Sequence, residues 1–419
     1  MILIHVPNSS DRWSYTLDFI FGLRGIEFKL TDSQKVFEES TENKMSFQNL
    51  ELGTILFETA ITKRSISKGV WRGIECLSFD ELADPISSIF YVLTRMEEYN
   101  CSKWDTHNRF DAKSSLQYEY GWLEKCICDR WAEEILDEIE KEINLSFPRI
   151  AEESRMIPTF DIDNTYAYKL KSGKRKMLSI TKDLLFLNIR RLKERRAVLS
   201  GQINDPYDTY DAIEQISNDF PVRLFWLIGD YGSYDKNISI KVGKHKELIR
   251  RLNEKAEIGI HPSYTSNSIP DLLKSEKKKL EKAIDKEVNI SRQHFLKLKF
   301  PQTYQNLIKH EIKEDFTMGF ADAVGFRNGT ARAFPWFDLS SNAKTELVIR
   351  PFAYMDGTLN EYLTLTPEEA KEKIKTLYQE LVKSGGDFIF LWHNETIGEY
   401  GKWKGWRSVL DYTLSLNSK

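Results

Sequence analysis

The stretch "TFDIDNTYAY", Thr159 to Tyr168, decides how this chain is read. A short apolar run, "MIPTF", ends on two carboxylates one residue apart, Asp161 and Asp163. Two acids side by side repel unless something positive stands between them. That something is a metal ion or an arginine, or else the pair simply faces water.

Downstream of Met156, short apolar strands alternate with helical stretches. The strand candidates are "MIPTF", "VRLFWLIG", "EIGIH", "ISRQHFLKL", "DFTMGF", "LVIRPFA" and "DFIFLWH". The helical ones are "YDTYDAIEQIS", "HKELIRRLNEK", "LLKSEKKKLEKAIDKE", "PQTYQNLIKHEI" and "TPEEAKEKIKTLYQELVKSGG", the last closed by a glycine C-cap. Repeated β-then-α predicts a parallel α/β fold, and seven strands suit a barrel-like closure better than an open sheet. "NDPYDTYD" reads as a helix start, with Asp205 capping and Pro206 in first position.

Residues 1–150 read as a smaller α/β domain ahead of a barrel domain over 151–419. "MILIHVP" and "GTILFE" are its strands. "DRWSYTLDFIFGL" is a helix with Asp11 as N-cap. "DPISSIFYVLTRMEEY" and "YGWLEKCICDRWAEEILDEIEKEI" are amphipathic helices, and "EINLSFPRIAEESRMIP" is the connector. No catalytic cluster shows in this half.

The chain has 419 residues and a net charge of -3, which fits two domains and argues for no nucleic-acid partner. No run approaches the length of a spanning helix, and no secretory leader is read at the N-terminus. Cys76, Cys101, Cys126 and Cys128 lack zinc-pair spacing and read as reduced thiols of a cytoplasmic protein. A metal in the second half must therefore use Asp, Glu and His.

In parallel α/β barrels functional groups gather at the C-terminal ends of the strands. Asp161 and Asp163 end the first strand, His261 the third and His393 the seventh, while Arg292 and His294 lie in the fourth. A divalent ion, zinc as first choice, held by Asp163, His261 and a further ligand would relieve the repulsion and activate water. Asp161 would take the water's proton and His393 would protonate a leaving amine. Each of these residues also has a plain structural reading, as a solvated strand end, a backbone-bonded histidine or a packed one.

"TFDID", "GIHPSY", "SRQHF" and "FLWHN" together resemble the polysaccharide deacetylase superfamily, carbohydrate esterases that N-deacetylate sugars. The resemblance covers about Pro158 to Asn394, with the motifs in the family's order. "SIFYVLTRMEEYN" and "GFRNGT" resemble a bacterial branch with an extra domain ahead. The resemblance implies a distorted (β/α)7 TIM-like barrel, Asp161 as base, Asp163 and His261 as metal ligands, Arg292 positioning the base and His393 as acid. Tyr264, Arg327, Trp392 and Asn394 flank these motifs and are the substrate-contact candidates.

The sequence departs from the family at its second motif, where Thr265 stands in place of a second histidine. His294 is the candidate replacement, Phe295 replaces a tyrosine, and Asp315 is the candidate acid beside His393. The expected activity is metal-dependent N-deacetylation of an acetylated glycan or glycan precursor. The alternatives are a glycan-binding protein with impaired catalysis and a small-molecule C–N hydrolase. The insert 169–204 is basic: residues 169–196 hold eleven Lys or Arg against two acids, around "LLFLNI". It reads either as a solvated helix face or as a peripheral contact with an anionic membrane.

Overall fold

The computed structural model describes residues 1–48, 50, 52–56, 64–149, 154–171 and 173–417. The N-terminal part holds two small sheets. Strands β1 (Ile2–His5), β2 (Phe28–Thr31) and β3 (Asn43–Ser46) pair in parallel in the order β2-β1-β3. Strands β4 (Ile66–Trp71), β5 (Ile74–Phe79) and β6 (Leu82–Ala83) form an antiparallel meander.

The helix Asp11–Ile20 is capped one residue earlier than the sequence predicts: Ser10 is the N-cap and Asp11 opens the first turn. The "DPISSIFYVLTRMEEY" segment divides into Pro85–Leu93 and Met96–Tyr99 at Arg95, which sits at φ 54°. "GTILFE" is not a strand where it is described. Gly53 to Leu56 form a turn, with Leu56 N–H donating to Gly53 O at 2.9 Å; the rest lies outside the described residues. Gly53 has φ +79°, and a Cβ there would fall 2.1 Å from the Trp13 ring. The connector ahead of the main sheet likewise includes 150–153, outside the described residues.

The main sheet has nine strands. They are β7 (Ser154–Ile162), β8 (Arg223–Leu227), β9 (Glu257–His261), β10 (Ile290–Ser291), β11 (Glu314–Asp315), β12 (Phe334–Asp338), β13 (Ala343–Ile349), β14 (Tyr354–Met355) and β15 (Gly386–His393). Their order is β12-β13-β11-β10-β9-β8-β7-β15-β14, with every pair parallel except β12–β13. Each of the seven predicted strands overlaps one of these, two of them only as two-residue stubs, and "DFTMGF" through Asp315 alone. The fourth stops at Ser291 because Phe295 and Leu296 turn to positive φ, 59° and 54°. The ladder's ends are β14 and β12, and no backbone pairing joins them among the described residues.

Helices separate the strands as their apolar spacing predicts, including Tyr210–Asp219, Gly243–Asn253, Asp271–Ile284 and Pro367–Ser384. The last carries a Thr366–Glu369 capping box and ends on Gly385 at φ 71°. Asp205 does not cap a helix. Its carboxylate accepts from the backbone N–H groups of Ala167, Tyr168 and Lys169 at 2.8–2.9 Å, and so fixes the loop that leaves β7. The helix begins later, at Tyr210, where Thr209 occupies the N-cap.

One apolar core runs from Ile2 and Trp13 through Trp131 to Trp226 and Trp392. "GFRNGT" is part of that continuity. Arg327 is buried, pairing with Glu98 and donating to Gly319 O at 2.8 Å. A Cβ at Gly325 would meet Leu123 O at 2.3 Å. The segment is therefore a docking seam and does not present Arg327 to a substrate.

Candidate metal centre

Parallel register sets the site. His393 lies opposite Asp161 across β15–β7, Leu227 lies opposite His261 across β8–β9, and Ser291, beside Arg292, lies opposite Ile260. The C-terminal strand ends thus bring Asp161, Asp163, His261, Arg292, His294 and His393 together. Asp161, Asp163, His261, His294 and His393 line a cavity of about 220 Å³. A larger cleft of about 570 Å³, lined by Lys241, Lys246, Lys279 and Lys282, contains no such group of imidazoles.

Asp163 is the centre of the arrangement. Its Oδ1 is 3.2 Å from His261 Nε2, and its Oδ2 is 3.4 Å from His294 Nε2 and 3.8 Å from His393 Nε2. The other ring nitrogen of each histidine is already committed. His261 Nδ1 lies 2.6 Å from Arg292 O, His294 Nδ1 2.9 Å from Asp235 Oδ1, and His393 Nδ1 2.9 Å from Asp356 Oδ1. Those partners are acceptors, so each Nδ1 carries the proton. With that proton fixed, each Nε2 is the atom turned toward the Asp163 carboxylate, a donor while the ring is protonated and a lone pair for an ion when it is neutral.

Asp163 Oδ1 is buried and accepts no hydrogen bond. A buried carboxylate oxygen without a hydrogen bond, among imidazole Nε2 atoms, is balanced either by protons on those nitrogens or by a cation held between them. Asp163, His261 and His294 can each offer one ligand atom, all within 4.8 Å of one another. Two nitrogens and one oxygen, with the Nδ1 atoms pinned by a carbonyl and a carboxylate, is a donor set that suits zinc and similar divalent ions. The residues present therefore fit a metal. Proton affinities show the same attraction for positive charge: burial disfavours charge on His294, yet Asp163 and Asp235 push its pKa up to about 9. Burial likewise opposes the charge of Asp163, but the facing imidazoles hold its carboxyl well below the usual range.

Asp161 is held from behind. Arg292 is fully buried and donates to Asp161 Oδ1 at 2.9 Å, Thr159 Oγ1 at 2.8 Å and Phe316 O at 2.9 Å. Its guanidinium lies 4.5 Å over the Phe225 ring. Asp161 Oδ2 points toward the cluster, 3.7 Å from His261 Nε2. Burial opposes protonation of His393, but Asp356 outweighs it and keeps the imidazole well above its usual range.

Several sequence-derived assignments change. His294 sits on a 3-10 turn after β10 instead of within a strand. The acid beside His393 is Asp356, not Asp315, whose carboxylate is taken by Ser291 and Thr317. Thr265 is exposed, its carbonyl capping the turn to Ser268 and Ile269. Of the substrate-contact candidates, Trp392 and Asn394 are fully buried on the helix side, with Asn394 bonding Asn164 O and Tyr207 O. Tyr264 packs against Tyr234 and His107 and reaches the cavity only through Phe295. In their place the walls are Phe295, Met355, Glu361, Tyr362, Glu395, Trp403 and Arg109. Arg109 comes from the N-terminal half and is fixed by Asp105 at 2.7 Å and Tyr362 Oη at 3.0 Å. The signal for Asp356 was its place in "YMDG", just after a two-residue strand too short to stand out.

The family described as a family of unknown function, DUF7033, matches residues 2–144. No curated protein matches the chain. Among solved structures, the chain is similar to a protein from Mycobacterium smegmatis assigned as a polysaccharide deacetylase. The two are 15% identical, over 65% of this chain and 87% of that one, with a TM-score of 0.39. Similarity to Puue allantoinase is 9% identity over 64% and 85%, with a TM-score of 0.40. The polysaccharide deacetylase of Bacillus cereus gives 10% over 63% and 87%, with a TM-score of 0.31.

Proposed function

We propose that this protein is a metal-dependent hydrolase of non-peptide C–N bonds, acting on the N-acetyl group of an amino sugar in a glycan or glycan precursor. The observation that carries the reading is the orphaned Asp163 Oδ1 facing two imidazoles whose Nδ1 atoms are pinned. Asp163, His261 and His294 would hold the ion, with zinc the first choice. Bound there, it would supply Lewis acidity to the scissile carbonyl and lower the pKa of water.

The remaining steps belong to the chain's own groups. Asp161, its Oδ1 fixed by Arg292, leaves Oδ2 to accept the proton of the attacking water. His393, kept protonated by Asp356, gives its Nε2 proton to the departing amine. Phe295, Met355 and Trp403 exclude bulk water from the acyl group. The sheet, open between β12 and β14, is read as the distorted barrel that the sequence resemblance implies. Residues 1–150 are read as an accessory domain that lends Arg109 to the cavity wall.

The test is acetate release from acetylated amino sugars by protein loaded with zinc or cobalt, beside metal analysis after gel filtration. Metal retained together with acetate released supports the reading; failure to retain metal overturns it. A second reading is favoured by the small cavity, about 220 Å³: a cyclic amide of a small molecule would meet the same groups. Ring opening of such amides without release of acetate from sugars would select it.

A further inference from the structure

The segment that follows the Asp163 loop forms a helical hairpin, Gly173–Leu185 and Ile189–Leu199. A surface helix ordinarily turns its apolar stripe inward. Here the stripe faces out. Met177, Leu178, Leu184 and Leu185 recur at helical spacing, and all are exposed. They continue into the turn, where Phe186 is 73% exposed and Leu187 81%, and on to Ile189. The opposite face is tied down: Asp183 is buried and pairs with Arg195 of the second helix. The outward stripe is thus set by a polar staple and not by a loose helix.

The tip has its own backbone partners. Phe186 N–H donates to Lys182 O at 3.1 Å, Leu187 N–H to Leu184 O at 3.0 Å and Asn188 N–H to Asp183 O at 2.8 Å. Asn188 Oδ1 accepts from Arg191 N–H. Backbone satisfied in this way can leave water without an orphaned amide. Around the apolar tip Lys176, Lys182, Arg190, Lys193 and Arg196 are all exposed. Among the described residues no other part of the chain covers this surface, and no helix is long and apolar enough to cross a membrane.

From these features we infer that the hairpin is a peripheral membrane anchor. Leu184 to Ile189 enter the headgroup region of an anionic bilayer, and the flanking lysines and arginines bind lipid phosphates. Charge complementarity selects this occupant over a second copy of the chain, because two such tips would bring their cations together. The anchor also faces the cavity's side of the sheet. It leaves β7 just after Asp163, and Glu194 of its second helix accepts from Tyr400 Oη at 3.0 Å, five residues beyond Glu395 of the cavity wall. The inference does not depend on the chemistry of the metal cluster.

The test is co-sedimentation of the full chain with phosphatidylcholine vesicles, with and without one-third phosphatidylglycerol. Wild type should bind the anionic vesicles and not the neutral ones. A Leu185→Glu, Phe186→Glu double variant should lose at least about tenfold in binding, since each side chain gives up its burial in the bilayer, with an unchanged thermal midpoint because both are exposed in the fold. Phe186→Trp should show a blue-shifted difference emission against wild type when anionic vesicles are added, a readout that survives if the double variant fails to fold. Unmoved emission overturns the anchor. So does a folded double variant that binds like wild type, which would mean charge attraction alone. Concentration-dependent dimers lost in the double variant, with vesicles unbound, would assign the tip to a second copy.

Discussion

Two of the places where this molecule buries charge resolve it differently. At the seam between the halves, two guanidiniums meet two carboxylates. Arg95 lies 2.7 Å from both Glu97 and Glu98, and Arg327 holds the other side of Glu98. Burial disfavours the Glu98 charge, yet Arg327 and Arg95 leave its carboxyl below the usual range. At the strand ends, Asp163 faces imidazoles that have already committed their Nδ1 protons to other acceptors. The seam is closed by its own residues, whereas the rim leaves Asp163 Oδ1 without a hydrogen bond, in a group of side chains that could hold a cation. A buried carboxylate thus serves cohesion in one place and offers a binding site in the other.

The largest contrast should come from removing one acid at each place. Glu98→Ala leaves the buried Arg327 without its carboxylate partner and Arg95 with Glu97 alone, and should cost about 3–5 kcal/mol of stability, read as a drop in denaturant midpoint. Folded Glu98→Ala should still retain metal. Asp163→Ala should do the reverse, losing metal on gel filtration while the metal-free protein's midpoint moves less than in Glu98→Ala. Equal behaviour of the two variants in both assays would erase the comparison.

Within the rim, Asp161→Asn should leave metal in place and lower acetate release about 100- to 10,000-fold, the range of a lost general base. Wild-type turnover in that variant would remove Asp161 from the chemistry.

A smaller effect separates ligand from support. His294→Ala should abolish retention of the ion, whereas Asp235→Asn, which only pins the ring, should weaken affinity about 10- to 100-fold. Because the His294 pKa is pushed up to about 9, the ion must displace a proton below that pH. Affinity should therefore rise with pH, by up to about tenfold per unit below about pH 9, and binding should release protons measurable by calorimetry in different buffers. Affinity flat in pH, with Asp235→Asn unchanged, would put the ion elsewhere.

How far the sequence reaches follows the same physics. Asp161, Asp163, His261 and His393 were legible because each ends an apolar strand run, and parallel pairing brings such ends together. Thr265 leaves the expected ligand set one histidine short. His294 joins Asp163 and His261 in a group that could hold an ion because the chain turns at Phe295 and Leu296, a positive-φ pair that neither propensity nor spacing announces. Arg327 was misread because an arginine between glycines looks like an exposed turn, while its partner Glu98 lies 229 residues away. Asp356 and Arg109 were missed for a related reason. One follows a two-residue strand, and the other arrives from the half of the chain that showed no catalytic pattern. Pairings across such distances are fixed by packing, which local pattern does not encode.

The subtlest effect concerns Asp356. It holds both His393 Nδ1 and the His393 N–H, each at 2.9 Å, and Thr396 Oγ1 donates to it at 2.6 Å. Burial works against the imidazolium, but the Asp356 charge raises the His393 pKa well above its usual range. Amide hydrolysis needs that proton, so activity should fall as pH rises through the raised pKa. Asp356→Asn keeps the shape and removes the charge, so the basic limb of the rate profile should move to lower pH. The imidazolium is favoured in the fold, so its stabilisation is fully present below the unfolded value of about 6.5 and fades as pH rises through the folded pKa. Asp356→Asn should therefore destabilise most at acid pH, and the gap from wild type should narrow as the solution is made alkaline. Hydrolysis of esters should feel the shift less, because an alkoxide departs more readily than an unprotonated amine anion. If the basic limb stays where it is in Asp356→Asn, His393 is not the acid, and the limb belongs to another group on the rim.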